Sequence, residues 1–309
     1  MRTRATVGAV TGALALSALA VPAAQAAGTA RVPAGTAAAS KAAHSAHSGH
    51  STGKSAYAAG VDEIPSVLNA TFSNVKVNSG KNIAVGISKV VKVPVSYTLT
   101  HGADVDIHAA DFVSAVELYR GESFENPIYF FDSDVATCTD TSATVASCKS
   151  TVAIDPMELL NEDAGSWKAA AFAVAFNGQD PQNPADPSQI GVAVKDNAAA
   201  FKLQRFSTLT VNAAPEPVKK GKTVTVTGKL ARANWDDGKY HGYTVQPVKL
   251  QFRKQTSSTY TTLKTVKSNS TGNLTATTTA TVDGYFRYSF AGTTTTPAVN
   301  ATGDFVDVR

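Results

Sequence analysis

From Ile64 onward the chain repeats with a period of two. Val75-Lys-Val77, Val91-Lys-Val-Pro-Val-Ser-Tyr-Thr-Leu99 and Ala115-Val-Glu-Leu-Tyr119 alternate apolar with polar positions, as half-buried strands do. Ile128 to Phe131, Thr144 to Ile154, Trp167 to Phe176, Ile190 to Val194 and Phe201 to Val211 extend the series. Asn78-Ser-Gly80, His101-Gly102, Gly121 and a proline-rich loop from Gly178 to Pro187 separate the runs. One stretch, Asp155-Pro-Met-Glu-Leu-Leu160, reads as a turn or two of helix, with Asp155 as cap and Pro156 at the first helical position.

A second series begins near Ala213, after which Pro215-Glu-Pro217 makes a stiff joint. Thr223 to Thr227, Val248 to Arg253, Tyr260 to Val266, Leu274 to Val282, Tyr285 to Phe290 and Phe305 to Val308 follow, with glycines between or beside them. Roughly seven short strands in about 100 residues is the density of an immunoglobulin-like sandwich. The pattern therefore predicts an all-β protein: two tandem immunoglobulin-like β-sandwiches, over 61–212 and 213–309.

Two segments stand outside this pattern. Residues 27–60 are Ala, Ser, Gly, Thr and His with almost no large apolar side chain. Such a segment buries too little surface to offset its ordering entropy, so it reads as a disordered tail. His44, His47 and His50 are spaced by three within it, a weak metal-binding pattern against which compositional drift is the plainer reading. Residues 1–26 carry Arg2 and Arg4, an apolar run from Ala5 to Val21 and the small-x-small site Ala24-Gln25-Ala26. These are the three parts of a secretory signal peptide. The expectation is a secreted, extracellular protein without a membrane span after cleavage.

Charge and cysteines fit that location. The formal charge of +4 falls to about +2 once the two leader arginines are removed, too little for a nucleic-acid binder. Cys138 and Cys148 are an even pair in an oxidising compartment, so a disulfide is expected. It closes a loop of about 11 residues and is worth about 3 kcal/mol on the chain-entropy model.

Candidate chemistry is sparse. The sequence holds no His-Glu-x-x-His, Gly-x-Ser-x-Gly or Rossmann glycine fingerprint. Gly49-His-Ser-Thr-Gly-Lys-Ser55 is one residue short of a phosphate loop, and Ser73-Asn-Val-Lys76 lies on a strand, where its ends face opposite ways. His101 and His108 stand near Asp104, Asp106 and Asp111, either as an acid–base or metal group or as a sandwich-end loop, and His241 stands in the second series. Asp132, Asp134 and Asp140 form the best calcium candidate, since the ion takes several loop oxygens; solvated loop acids are the alternative. No other cofactor is implied. Trp235, Tyr240 and Tyr243 share a long connection with Asp236, Asp237 and Lys239. They either present a stacking surface for a sugar or protein partner or fold back over the core.

The opening Val211-Asn-Ala-Ala-Pro-Glu-Pro-Val-Lys-Lys-Gly-Lys-Thr-Val-Thr-Val-Thr-Gly228, the strand Gln246-Pro-Val-Lys-Leu-Gln-Phe-Arg253, the turn Ser270-Thr-Gly-Asn273 and Asp283-Gly-Tyr-Phe-Arg-Tyr-Ser-Phe-Ala-Gly292 resemble bacterial immunoglobulin-like repeats. Those repeats occur in secreted proteins of high-GC Gram-positive bacteria. Val61 to Thr210 is similar to an N-terminal domain of unknown function that accompanies them, some relatives of which are loosely labelled calcium-binding. The resemblance implies β architecture and an extracellular site, and it brings no catalytic residues. The functional expectation is a non-catalytic binding or adhesion protein whose target is a cell-wall glycan or another protein. The alternatives are a secreted hydrolase inhibitor using the Cys138–Cys148 loop, and a secreted hydrolase. A helical layer, or ionisable groups converging at the foot of a pit, would overturn the expectation.

Overall fold

The structure, a computed structural model, describes residues 34–51 and 65–309. The expected signal peptide at 1–26 lies outside the described residues. Among the described residues one α-helix and twenty strands follow in chain order: α1 (Ala34–Ser51), β1 (Ser66–Val67), β2 (Ala70–Val77), β3 (Ile83–Val85), β4 (Val91–His101), β5 (Phe112–Gly121) and β6 (Pro127–Asp132). Next come β7 (Thr137–Ser142), β8 (Val145–Ile154), β9 (Gly165–Ala175), β10 (Gly191–Arg205), β11 (Ser207–Leu209), β12 (Asn212–Ala214) and β13 (Thr223–Asn234). The chain ends with β14 (Lys239–Gly242), β15 (Pro247–Lys254), β16 (Thr261–Lys267), β17 (Asn273–Thr279), β18 (Gly284–Phe290), β19 (Val299–Asn300) and β20 (Asp304–Val306). The helical turn read at 155–160 is a single 3-10 turn, Pro156–Glu158.

Two compact units result, but their boundary is not a single crossing near 213. Among the described residues the first comprises 34–51, 65–76, 94–155 and 168–199; the second takes 77–93, 156–167 and 200–309. Long-range pairing is the reason. β3 pairs in parallel with Leu203–Arg205 of β10, and Asn161 bonds to Asn234 and Asp236, so both short segments belong to the second unit. Pro215 and Pro217 lie inside that unit rather than at a joint. The runs expected at 190–194 and 201–211 are also not two strands. β10 continues from 191 to 205 through Asn197, whose φ of 50° marks a local irregularity.

In the first unit, β1, β10, β9, β5 and β6 lie side by side in that order, and β2, β4, β8 and β7 form a second sheet. Alternation tells which residues face which layer. Ser114 of β5 accepts or donates with the Tyr97 hydroxyl of β4 at 2.7 Å, placing Ser114, Val116 and Leu118 against the second sheet. Val113, Ala115, Glu117 and Tyr119 therefore face the other way, and yet all are buried. α1 covers them. Ala39, Ala43 and Ala46 pack there with Phe124, Ala170, Phe172, Val174, Phe176, Ile190 and Val192.

Part of the segment expected to be disordered is thus an ordered helix. Alanine is the strongest helix former, and Ala39, Ala43 and Ala46 recur at four and three residues, one face of a helix. The helix's buried apolar residues are small because the large ones, Phe124, Phe172 and Phe176, come from the sheet side.

The second unit is a sandwich of two sheets. One runs β11-β13-β12 with β14 and β17 also on β13; the other runs β16-β15-β18-β19 with β20 on β18. Val224, Val226, Leu230 and Leu274 from one sheet meet Val248, Leu250, Phe286, Tyr288 and Phe290 from the other. Gly272, in the turn after Ser270, sits at φ +82°, and a β-carbon there would run into the Leu230 carbonyl, so a side chain has no room. The described residues are predominantly β, with paired sheets in sandwich units, but α1 adds a helical layer over one face of one sheet; this corrects the expectation of bare sheets, so the functional reading has to rest on the groups beneath that helix.

Candidate functional site

Among the described residues a buried group of ionisable side chains lies beneath α1. β5 and β6 pair so that Glu117 stands directly opposite Asp132, which puts two carboxylates side by side on the face that α1 covers. Ser40 and His44, one helical turn apart, reach down to the same oxygen. Ser40 Oγ donates to Glu117 Oε2 at 3.0 Å, and His44 Nε2 stands 2.8 Å from it. The His44 ring packs 4.1 Å from that of Phe124. Beside them the Tyr119 hydroxyl donates to Asp196 of β10.

Glu117 is fully buried, and its Oε1, like Asp132 Oδ1, has no hydrogen-bond partner among the described residues. Burial pushes the Asp132 carboxyl up to about 7, and the neighbouring Glu117 charge adds to the rise. Burial likewise raises Glu117, partly offset by His44 and Ser40. For His44 burial alone would lower the pKa, but the hydrogen bond and charge of Glu117 outweigh it, and the net direction is upward.

Chemically this arrangement is a fastening. In a Ser–His–acid relay the serine bonds to the histidine; here both go to the carboxylate, and Ser40 is buried. The sequence holds one signal for it: Glu117 is the single charged residue in Phe112-Val-Ser-Ala-Val-Glu-Leu-Tyr119, and because the strand is buried at each of these positions that acid has to find partners.

The residues singled out from the sequence are dispersed. Cys138 and Cys148 face each other across β7 and β8 and form the disulfide. Replacing both by serine is expected to lower stability by about 3 kcal/mol through the freed unfolded chain, read as a lower Tm in calorimetry without loss of fold. Asp132, Asp134 and Asp140 do not converge. Asp132 faces α1, Asp134 is exposed, and Asp140 pairs with His108 at 3.0 Å. Among the described residues, no three His, Cys, Asp or Glu side chains form a metal-holding group; the side chains of His47 and His50 lie outside the described residues.

Asp104, Asp106 and Asp111 are occupied by Asn69, the His108 amide and the Gly178 amide. His101 Nδ1 bonds to the Gly102 carbonyl, and exposed His241 pairs with Asp237 at 2.7 Å. His101 ends β4 and His241 lies on β14, and among the described residues these contacts gather no three such side chains into a metal-holding group.

Of the aromatic trio, only Tyr240 is open to solvent. The Trp235 indole is buried and donates to the Gly86 carbonyl at 2.8 Å. Tyr243 packs on the core with Phe290 at 5.7 Å and holds the Arg232 guanidinium 3.9 Å from its ring. The three do not make one binding surface, because two of them are spent on closing the sandwich. Trp235→Ala is expected to cost about 3–5 kcal/mol, measured by denaturant unfolding followed at the second unit.

Two surface hollows accompany these groups. One, of about 200 Å³, is lined by Ala46, Ser66, Val67, Leu68, Ala70 and Val192 to Val194. The other, of about 460 Å³, is lined by Thr210 to Asn212, Thr227, Gly228 and Asn273 to Thr275. Neither contains an ionisable side chain.

Fold and site together define an all-β protein of sandwich units. Among solved structures the chain is similar to the mouse nectin-like molecule 4 ectodomain, at 14% identity over 79% of this chain and 65% of that one, TM-score 0.22. It is also similar to a DUF4785 family protein from Legionella pneumophila, at 13% identity over 70% and 51%, TM-score 0.30. Titin domains I67–I69 match at 11% identity over 78% and 65%, TM-score 0.28. The chain thus spans about half to two thirds of their lengths. No family model and no curated protein matches the sequence.

Proposed function

We propose that the chain is a secreted, non-catalytic binding or adhesion protein. In this reading it offers the loops and sheet faces of its sandwich units to an extracellular glycan or protein. The observation that carries it is the use made of the ionisable groups that do converge: Ser40, His44, Glu117 and Asp132 lie under α1, where they hold a helix, and the open hollows contain none. Reaction centres need titratable groups facing a substrate, whereas binding modules need rigid sheets with exposed faces. The Cys138–Cys148 disulfide suits an oxidising compartment, and among the described residues no helix is long and apolar enough to cross a membrane.

The test is sedimentation of the purified chain with whole cells and with insoluble cell-wall glycan. Saturable recovery in the pellet is expected. Complete retention in the supernatant, with inhibition of a secreted protease panel, would favour the inhibitor alternative.

A further inference from the structure

The outward face of the second unit's β15–β18–β20 sheet carries guanidinium and aromatic groups in an unbroken stack. Val248, Leu250, Phe286, Tyr288 and Phe290 point into the core. Their neighbours Gln251, Arg253, Tyr285 and Arg287 therefore stand on the opposite face. The Arg287 guanidinium lies 3.8 Å from the Tyr260 ring centroid. Arg253 lies 5.4 Å from that ring and 3.9 Å from Tyr285, and the Tyr285 ring is 5.2 Å from Phe305.

Polar contacts fix the planes of both guanidiniums. Arg287 Nε donates to Gln251 Oε1 at 2.9 Å, and Arg253 Nη1 donates to the Ser257 carbonyl at 2.8 Å. Among the described residues no carboxylate forms an ion pair with either arginine. The acids on neighbouring segments are committed elsewhere: Asp283 to the Val308 amide, Asp304 to the Ala213 amide and Asp307 to Arg309. Each guanidinium has five N–H donors, so most remain unused. Exposed Lys249 adds a third cation to the face.

We propose that this stack is a binding platform for an acidic glycan, a polysaccharide that carries carboxylates on its sugar rings. Planar guanidinium forks match carboxylates bidentately, and stacking on rings holds them in place before the ligand arrives. Tyr285 and Phe305 offer apolar surface to the sugar rings between the charges. The inference rests on the binding function proposed above and names its ligand class.

The experiment is titration of the full chain with polygalacturonate, with neutral dextran of matched length and with polyphosphate. Binding to polygalacturonate that weakens with salt, and none to dextran, is expected. Arg253→Ala with Arg287→Ala should weaken it at least tenfold. The corresponding lysine pair keeps the charge but loses the fork and the stacking; it should weaken binding several-fold, and it serves if the alanine pair lowers Tm. No binding to polygalacturonate, undiminished binding by both double variants, or tighter binding of polyphosphate overturns the proposal. A double variant that still sediments with cells as the wild type does would overturn the platform and leave the binding function standing.

Discussion

Asp132→Asn raises the Tm of the first unit at pH 8 and leaves it nearly unchanged at pH 3.5. The direction follows from proton counting. The Asp132 carboxyl rises from the ordinary 3.8 to about 7 on folding, and Glu117 and His44 are also raised. The native state therefore holds more protons than the unfolded chain across this window, so its stability falls as pH rises. For Asp132 the favourable contribution is complete below 3.8 and gone above about 7. For His44 it is present below 6.5 and lost as pH passes its raised native value. The Asp132 interval corresponds to about 4 kcal/mol between the two limits. An amide of the same shape carries no charge to bury, so the variant recovers most of that difference at pH 8. Thermal melts at both values check this; equal effects at the two pH values, or a loss at pH 8, would show that Asp132 is not held as a buried acid.

Ala43→Asp releases α1. Ala43 is fully buried against the aromatic face of the sheet, and a carboxylate there has no room and no cation assigned to it. Burying it unpaired costs several kcal/mol, more than a helix anchored by three alanines and one acid can retain. The expected result is a Tm lower by about 10 °C and dye binding to the uncovered Val113, Phe124, Phe172 and Val174. Lys41→Asp, on the exposed side of the same helix, serves as control and should stay within about 0.5 kcal/mol of wild type. A wild-type melt for Ala43→Asp would mean that the helix does not cover the sheet.

The strands were legible because alternation survives wherever one sheet face meets water. Thr223 to Thr227 and Tyr285 to Phe290 are such cases, and the core residues they predict are those found. Alternation failed on β5 and β9, which are buried on both faces, and an apolar run gives no hint of what lies above it. α1 was missed for the complementary reason. Its buried residues are alanines, so composition alone made the segment look soluble and unstructured. Pairing such as β3 with β10 joins residues more than a hundred positions apart, beyond the reach of any local pattern, so the division of these segments between the units is not legible in the sequence. Glu117 was passed over as an ordinary polar position on a strand, since nothing next to it in sequence shows that Ser40 and His44 come down onto it. The arginine–aromatic stack was missed similarly, because Tyr260, Arg287 and Phe305 meet only once β15, β18 and β20 are side by side.

Whether the acid–histidine group is a fastening or a reaction centre is read most directly by amide hydrogen exchange over residues 36–46 in the wild type and in Glu117→Ala. Removing the carboxylate takes away the Glu117 oxygen to which Ser40 and His44 both bond, so protection in this segment should fall by at least a hundredfold while β13 and β18 keep theirs. Unchanged protection across 36–46 in the variant would contradict the account.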